Sequence, residues 1–241
     1  MNYKPQSGFT LVEVAIVLVI VGLLLGGILK GQELVSNARV RNVADQQNAV
    51  KAAYYAFQDR YRALPGDYNQ ASLNIPNVAA GANGNGDAQI GGAGPLATEV
   101  VLAWYHLTQS GFISCSQCSN APAAGAVPAA GNSPLNAFGG VMQINYDGQY
   151  PAPGAAPGAA GIALVNSLKS GTQIPSNLLA EIDRKIDDGN PETGTFRFSD
   201  VNPGGAAPLV AGNCYVASAA PVVASWQSAT PNANCGAAYL F

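Results

Sequence analysis

Two hydrophobic patterns follow one another along the first quarter of the chain. Residues 9–29 form an apolar run of twenty-one residues in which only Thr10 and Glu13 are polar. A helix of that length spans a hydrocarbon layer of about 30 Å. Beyond Lys30 the apolar positions recur every three, four or seven residues, as expected for one face of an amphipathic helix; they are Val43, Val50, Tyr54, Phe57, Tyr61 and Leu64.

These patterns predict one long helix with two different halves. Residues 9–29 are predicted to cross a membrane, and residues 30–64 are predicted to continue as the amphipathic half. Pro65 ends the helical pattern because proline has no amide hydrogen to donate. Residues 65–241 are then expected to form a globular domain against which the second half packs.

Glu13 is the anomaly of the apolar run. An ionisable group inside a membrane segment costs at least about 2.5 kcal/mol and normally finds a partner, which makes it a functional candidate. A cleaved secretory signal explains neither the length of the run nor the absence of an A-x-A site after it. A plain membrane anchor explains the length but gives no role to Glu13.

The string Gly8-Phe9-Thr10-Leu11-Val12-Glu13 resembles the processing site of type IV pilins and type II secretion pseudopilins. The resemblance implies a leader peptide of residues 1–8, cleavage after Gly8 by a prepilin peptidase, and methylation of the new amine on Phe9. It also implies a single-pass precursor in the bacterial inner membrane, with residues 65–241 exported. The filament would be periplasmic or extracellular after assembly by inner-membrane machinery.

Elementary electrostatics gives Glu13 a role that fits this processing. Cleavage would create a cationic amine on Phe9, and a carboxylate of a neighbouring copy neutralises it in low dielectric only if the two chains are staggered. Repeating a staggered contact generates a helical filament of identical subunits. The alternatives are a pseudopilin of a type II secretion system and a membrane-anchored binding protein that does not polymerise.

The rest of the chain alternates short periodic segments with loops rich in Ala, Pro and Gly. Helical patterns cover residues 97–110 and 176–186, the latter with Ser176 as the expected N-cap. Alternating or β-branched and aromatic patterns predict strands at 140–146 and 195–198. The predicted fold is therefore α+β, with the long helix packed on a small antiparallel sheet accompanied by further helices and long loops.

Composition and charge narrow the function. The net charge is −3 with no basic cluster, so nucleic-acid binding is not predicted. His106 is the only histidine, and no nucleophile motif accompanies it. A Ser-His-Asp or Cys-His arrangement is therefore not expected, and the chain is predicted not to be an enzyme.

Four cysteines, Cys115, Cys118, Cys214 and Cys235, admit three disulfide pairings. The economical assignment is one local bridge, Cys115 to Cys118, and one loop bridge, Cys214 to Cys235. A zinc site would be favoured by two C-x-x-C pairs, but only one is present. A redox pair would be expected at a helix start, whereas Cys115 and Cys118 lead into a Pro-rich loop. The family resemblance implies a disulfide-closed loop near the C-terminus.

A turn-rich segment carries oxygen ligands in the spacing of half a calcium loop. Asn83, Asn85 and Asp87 alternate with glycines, and Asp67 or Glu99 would complete the shell. The alternative is a plain turn, since Asn, Asp and Gly all tolerate positive φ. No cofactor other than this calcium ion is predicted, and the family resemblance agrees with it, since some pseudopilins hold calcium in their globular domain. Asp187 and Asp188 are a weaker second candidate, for which solvated turn carboxylates are the competing interpretation.

Overall fold

The computed structural model describes residues 10–91, 97–201 and 211–241. Its contacts divide the chain into two compact units, Met1–Arg39 and Val40–Phe241. The predicted leader and Phe9 lie outside the described residues. The division into leader, membrane segment, amphipathic continuation and exported domain stays a prediction.

Helix α1 runs without interruption over Leu11–Tyr61. It ends where Arg62 adopts a left-handed conformation with φ of 54°, and the Arg62 amide donates to the Gln58 carbonyl at 2.8 Å. This closing bond satisfies one of the carbonyls left free at a helix end. Pro65 follows, and the chain then enters the domain.

The other elements are short, because glycines, prolines and turns interrupt the periodic segments. The remaining helices are α2 (Ala71–Asn74), α3 (Ala97–Gln109), α4 (Ser176–Ile186) and α5 (Ala211–Cys214). The strands are β1 (Gln143–Asp147), β2 (Val165–Lys169), β3 (Phe196–Phe198), β4 (Tyr215–Val216), β5 (Ser225–Trp226) and β6 (Ala237–Leu240).

Four strands form an antiparallel sheet in the order β1-β2-β6-β3. Ile144 of β1 lies opposite Leu168 of β2, and Leu168 lies opposite Tyr239 of β6. Strand β2 therefore pairs with β1 on one side and with the last strand, β6, on the other. Strand β3 pairs on the other side of β6. A separate two-stranded hairpin, β4 with β5, lies in the chain between Cys214 and Cys235.

The second half of α1 supplies one side of the core. Its predicted stripe is buried at Val43, Val50, Tyr54 and Phe57, with Phe57 fully enclosed. Lys51 donates to the Tyr239 hydroxyl of β6 at 2.5 Å. The Phe57 ring lies 6.3 Å from that of His106 on α3, so the helix also contacts α3. The α+β prediction, a long helix on a small antiparallel sheet, is confirmed.

The prediction that Ser176 caps α4 is wrong. The N-cap position is Pro175, and Ser176 is the first helical residue. The Ser176 hydroxyl donates to the Gln227 carbonyl at 2.6 Å and accepts from the Asn232 amide at 3.0 Å. A tertiary partner thus replaces the local cap, and Ser176 ties α4 to the disulfide-closed segment.

Candidate functional site

The N-terminal end of α1 is organised by Glu13 and Thr10. The Glu13 carboxylate accepts from the Thr10 amide at 2.8 Å and from the Thr10 hydroxyl at 3.0 Å. The Thr10 hydroxyl in turn accepts from the Glu13 amide at 3.3 Å. This reciprocal arrangement is a capping box, which satisfies amides that the first helical turn leaves free. The T-x-x-E spacing of Thr10 and Glu13 is the local sequence signal for this cap.

The part of α1 that belongs to the first unit has an exposed apolar surface. An 18-residue window of α1 has a mean hydropathy of 2.8, and none of it is buried. The side chains of Leu11, Leu23 and Leu29 are at least 66% exposed. A solvent-exposed apolar surface of this extent is expected to be covered by lipid or by another protein.

Comparison with known families gives one match, at this same end of the chain. Residues 3–29 match the family described as the prokaryotic N-terminal methylation motif. The chain carries the N-terminal signature of type IV pilins and pseudopilins. The resemblance seen in residues 8–13 is therefore confirmed, and the motif supports a type IV pilin-like or pseudopilin precursor. Neither the curated proteins nor the solved structures contain a match to it.

The matched range includes the predicted processing residues. Gly8 and Phe9 lie within residues 3–29 but outside the described residues, so their geometry is not part of the structure. Glu13 is the predicted assembly residue, and the structure describes its surroundings. The proteins that carry this motif are structural rather than enzymatic.

A second candidate site, a cluster of three carboxylates, lies in the domain. Ligand oxygens of Asp67, Asp87 and Glu99 all lie within 4.8 Å of one another. Asp67 accepts from the amides of residues 86, 87 and 88 at 2.6–2.9 Å. Glu99 accepts from the amides of Asn85 and Gly91 at 2.9 and 3.1 Å. The segment 83–91 therefore wraps around two buried acids.

This wrapping depends on a glycine. A Cβ on Gly84 would overlap the backbone of Asp67, so a larger residue there would push the loop away from the acid. The loop can close over Asp67 only because Gly84 has no side chain. Gly84, one of the glycines that suggested a plain turn, thus also lets the loop approach Asp67 closely.

The electrostatics of the cluster leave negative charge without a cationic partner. Burial raises the pKa of Asp67 and Glu99, while the amide hydrogen bonds oppose that rise and the nearby carboxylates add to it. Neither acid forms an ion pair within the ranges that the structure describes. A divalent cation or a proton would remove this electrostatic penalty.

The predicted calcium ligands are only partly brought together. Asp67, Asp87 and Glu99 have the charge and spacing that suit a hard cation. The amide oxygens of Asn83 and Asn85 instead accept from the backbone amides of Ser72 and Asp87, at 2.8 and 2.9 Å. Calcium takes six to eight oxygens, so backbone oxygens or water would have to complete the shell. Calcium binding stays a prediction.

The weaker cation candidate includes a residue that the sequence analysis missed. Asp183, which is fully buried on α4, lies close to Asp187 and Asp188, with ligand oxygens of the three carboxylates within 4.8 Å of one another. Asp183 accepts from the Trp226 indole at 2.7 Å and from the Gly189 amide at 3.1 Å. Burial raises the pKa of Asp183 to about 6. The only sequence signal was its position four residues before Asp187, on the same helical face.

All four cysteines are in disulfides. Cys115 is bonded to Cys118, and Cys214 is bonded to Cys235. No cysteine is free to act as a zinc thiolate or as a reduced redox pair in this structure. The second bridge closes the segment that contains the β4–β5 hairpin.

His106 has a structural role. It is fully buried, and its Nδ1 accepts from the Gly66 amide at 3.0 Å. Its Nε2 lies 2.8 Å from the Ala82 carbonyl, which assigns the proton to Nε2. Burial lowers the pKa of His106 to about 4. The imidazole therefore joins α3 to two loops as a neutral group.

Proposed function

We propose that this chain is a structural subunit of a type IV pilus-like filament, made as a membrane-inserted precursor and cleaved after Gly8. The observation that supports it most strongly is Glu13, a single carboxylate near the start of an exposed apolar helix within the methylation motif. The precursor would reside in the inner membrane, with the domain on the exported side. Its partners would be lipid, a prepilin peptidase, the assembly machinery and further copies of the chain.

The cap geometry leaves Glu13 able to serve a second partner. One carboxylate oxygen, Oε2, makes both bonds to Thr10, and Oε1 accepts no hydrogen bond from any residue in the described part of the chain. A carboxylate has about four acceptor sites. Glu13 can therefore cap its own helix and still bind the amine of Phe9 on a neighbouring copy.

The apolar surface suits both lipid and a filament core, and the charge pair gives the register of assembly. Moving the exposed side chains of residues 11–35 from lipid into a filament core would keep them away from water. An unpaired Glu13 in that core is costly, because a charge in a low-dielectric environment requires a partner. The docked copy is therefore the one whose Phe9 amine meets Glu13, and the repeated offset produces a filament.

The processing step is tested by the mass of the mature chain. We expect the protein recovered from cells to lack residues 1–8 and to carry one methyl group on the amine of Phe9. Deleting the prepilin peptidase should restore the full-length mass. A mature chain that still begins at Met1, or that begins at another residue, would overturn the proposal.

The assembly step is tested by separating the two roles of Glu13. Glu13→Gln keeps a capping side chain, because Gln also serves in a capping box, but it removes the charge. Glu13→Ala removes both. We expect both variants to reduce sheared filaments at least a hundredfold while the membrane-inserted chain stays at its normal level.

Glu33→Gln is the matched control, since Glu33 is an exposed carboxylate on the same helix and pairs with Lys30 at 2.7 Å. It should assemble normally. Normal filaments from Glu13→Gln would mean that Glu13 acts only as a cap. If the unsubstituted chain forms no filament and Glu13→Ala leaves its cellular function unchanged, the membrane-anchored binding protein is favoured.

Deleting the gene would distinguish a pseudopilin. Loss of protein secretion while surface filaments remain would assign the chain to a type II secretion system.

A further inference from the structure

Strands β1 and β2 hold a buried lysine against an aspartate. Lys169 on β2 is 1% exposed, and its Nζ atom lies 2.6 Å from Oδ1 of Asp147 at the end of β1. The residue directly opposite Lys169 is Gln143, and Asp147 lies four residues further along the same face of β1. The lysine side chain therefore extends along β1 to reach this carboxylate.

The surroundings of the pair keep water away from it. The Asp147 side chain is only 14% exposed, and the centroid of the buried Tyr150 ring lies 5.9 Å from the Lys169 Nζ atom. Burial lowers the pKa of Lys169, while the negative charges of Asp147 and Asp200 oppose that fall. The desolvation cost of a buried ion pair can exceed its Coulombic attraction. Condensation of the two groups to a neutral amide would remove that cost.

Two neutral donors fix the carboxyl group of Asp147. Its Oδ2 accepts from the side-chain amide of Asn145 at 2.8 Å, and its Oδ1 accepts from the backbone amide of Gln149 at 3.0 Å. Both donors remain in place if negative charge develops on either oxygen, which is how an oxyanion hole stabilises a tetrahedral intermediate. Because Oδ1 is bonded to Cγ, the Lys169 amine lies within about 4 Å of that carbon, near the separation of reacting atoms in a productive complex.

A second carboxyl group, that of Asp200, lies near the pair and has an oxygen without a partner. Its Oδ1 is buried and makes no hydrogen bond with any residue in the part of the chain that the structure describes. Burial raises the pKa of Asp200, its own amide and the charge of Lys169 oppose that rise, and the charge of Asp147 adds to it. Asp200 therefore interacts with both members of the pair. A buried acid with a free oxygen is suited to accept and return a proton.

We propose that Lys169 and Asp147 form an intramolecular isopeptide bond, with Asp200 as the proton carrier. The Lys169 ammonium gives one proton to the Asp147 carboxylate, which leaves a neutral amine beside a carboxylic acid. The Nζ lone pair attacks Cγ, and Asp200 takes a second proton from Nζ and returns it to the hydroxyl oxygen. The C–O bond then breaks. The products are one secondary amide and one water molecule, so the step needs no oxidant or activating co-reactant.

The bond would join an edge strand covalently to its neighbour. Strand β1 lies at one edge of the four-stranded sheet and pairs with β2. The chain between them, residues 148–164, is rich in Ala, Pro and Gly. A crosslink that closes this loop restricts the unfolded chain as a disulfide does, but reduction cannot break it. The inference goes beyond filament assembly and does not depend on it.

The first test is a tryptic map of the unsubstituted full chain, with its disulfides reduced. The sequence contains no Lys or Arg between Arg62 and Lys169. An unlinked chain therefore gives separate peptides, 63–169 and 170–184. Trypsin does not cut after an acylated lysine, so we expect a single peptide, 63–184, that has lost the mass of one water molecule. Leader processing does not affect this peptide.

A second digestion distinguishes the isopeptide bond from another loss of water. Asp147 precedes Gly148, and attack by the Gly148 amide nitrogen on Asp147 would form a cyclic imide with the same mass change. That product leaves Lys169 open to trypsin. Chymotrypsin cuts after Tyr150, between the two proposed partners. The fragments that carry Asp147 and Lys169 should nevertheless stay joined.

Variants assign the roles. Lys169→Arg keeps the positive charge, but a guanidinium stays protonated and does not attack, so cleavage at position 169 and the full mass should return. The matched control, Lys185→Arg, changes an exposed lysine on α4 and should keep the link. Asp200→Asn should slow the appearance of the linked peptide in newly made chain about a hundredfold, the scale of general acid–base catalysis. Asp200→Glu should restore the rate, which a merely structural role would not require.

Three results would overturn the proposal. One is recovery of separate peptides 63–169 and 170–184, at their full masses, from the unsubstituted chain, which would leave Lys169 and Asp147 as an ion pair. Another is loss of water with normal cleavage after Lys169. The third is a link that forms as fast in Asp200→Asn as in the parent. The first two are read from the parent chain and do not depend on the folding of any variant.

Discussion

The two units of this chain handle apolar surface in opposite ways. In residues 11–35 large apolar side chains are exposed, as at Leu24, which is 60% exposed. In Val40–Phe241 the large apolar side chains are mostly enclosed, and two disulfides close short and long loops. Helix α1 contributes to both units with one continuous backbone.

The difference shows that the domain buries most of its own apolar side chains, whereas the N-terminal part does not. The domain also pairs a buried charged group, since Lys169 is fully buried and lies 2.6 Å from Asp147. In the described part of the N-terminal unit, the polar contacts include the Thr10 and Glu13 cap and the exposed Lys30–Glu33 pair. The surface left over there is what assembly or lipid would have to cover.

Two truncations on α1 test the comparison most strongly. Phe57→Ala should lower the unfolding free energy of the domain by about 3–5 kcal/mol, because it leaves a cavity in the core. Leu24→Ala on the same helix should change it by less than about 0.5 kcal/mol, because Leu24 contributes exposed surface. Guanidinium unfolding of the full chain in micelles, followed by the fluorescence of Trp104 and Trp226, measures both. If Leu24→Ala also lowered the unfolding free energy by several kcal/mol, the contrast between an exposed N-terminal part and a buried domain half of α1 would be wrong.

Acid should weaken the domain through His106. The pKa of this histidine is about 4 when folded, against an ordinary value of 6.5. The neutral form is preferred in the fold, so the stabilisation is present above pH 6.5 and is lost as the pH falls through about 4. The loss should approach about 3 kcal/mol.

The variant His106→Gln isolates this contribution. A glutamine can accept from the Gly66 amide and donate to the Ala82 carbonyl without titrating in this range. The decrease in unfolding free energy between pH 7 and pH 4 should therefore be smaller in the variant. If the unfolding free energy decreased equally in both proteins, His106 would not be the cause of the acid sensitivity.

The two disulfides should differ in their contribution to the domain. In the chain-entropy model, the Cys214–Cys235 bridge, with a separation of 21 residues, contributes about 3 kcal/mol. The Cys115–Cys118 bridge, with a separation of 3, contributes about 2 kcal/mol. Paired Cys→Ser variants, unfolded in denaturant, give the two values. The reverse order would mean that effects on the folded state outweigh loop entropy.

Calcium should have the smallest effect. If the cluster of Asp67, Asp87 and Glu99 binds it, a calcium concentration ten times the Kd would stabilise the domain by about 1.4 kcal/mol. Asp87→Asn should abolish that gain, because it removes the exposed ligand of the cluster. Asp59→Asn, another exposed acid, should keep it. Calorimetry that shows no uptake by the parent chain would reject the site.

The long helix was predictable because its signals are local. The apolar run, the stripe from Val43 to Leu64 and the proline after it each act on neighbouring turns, and the helix ends at Tyr61. The cap of α4 was not predictable in the same way. Ser176 had a tertiary partner in Gln227, which a local rule for helix starts does not consider.

The candidate site residues also differ in whether their signal is local in the sequence or depends on distant partners. Glu13 was identifiable because a charge in an apolar run stands out by itself. Asp183 was not, because its significance comes from the Trp226 indole, distant in the chain. The side-chain oxygens of Asn83 and Asn85 were expected to face a cation, but they accept from the backbone amides of Ser72 on α2 and of Asp87 instead.

The amino-acid order alone determined the apolar helix, its single acid and the signature of residues 3–29, since these depend only on which residues are adjacent. Tertiary structure decided which carboxylates meet, which cysteines are bonded and which aspartate the buried Lys169 contacts. Those features arise when segments far apart in the chain pack together, and long-range packing is not encoded in any local period.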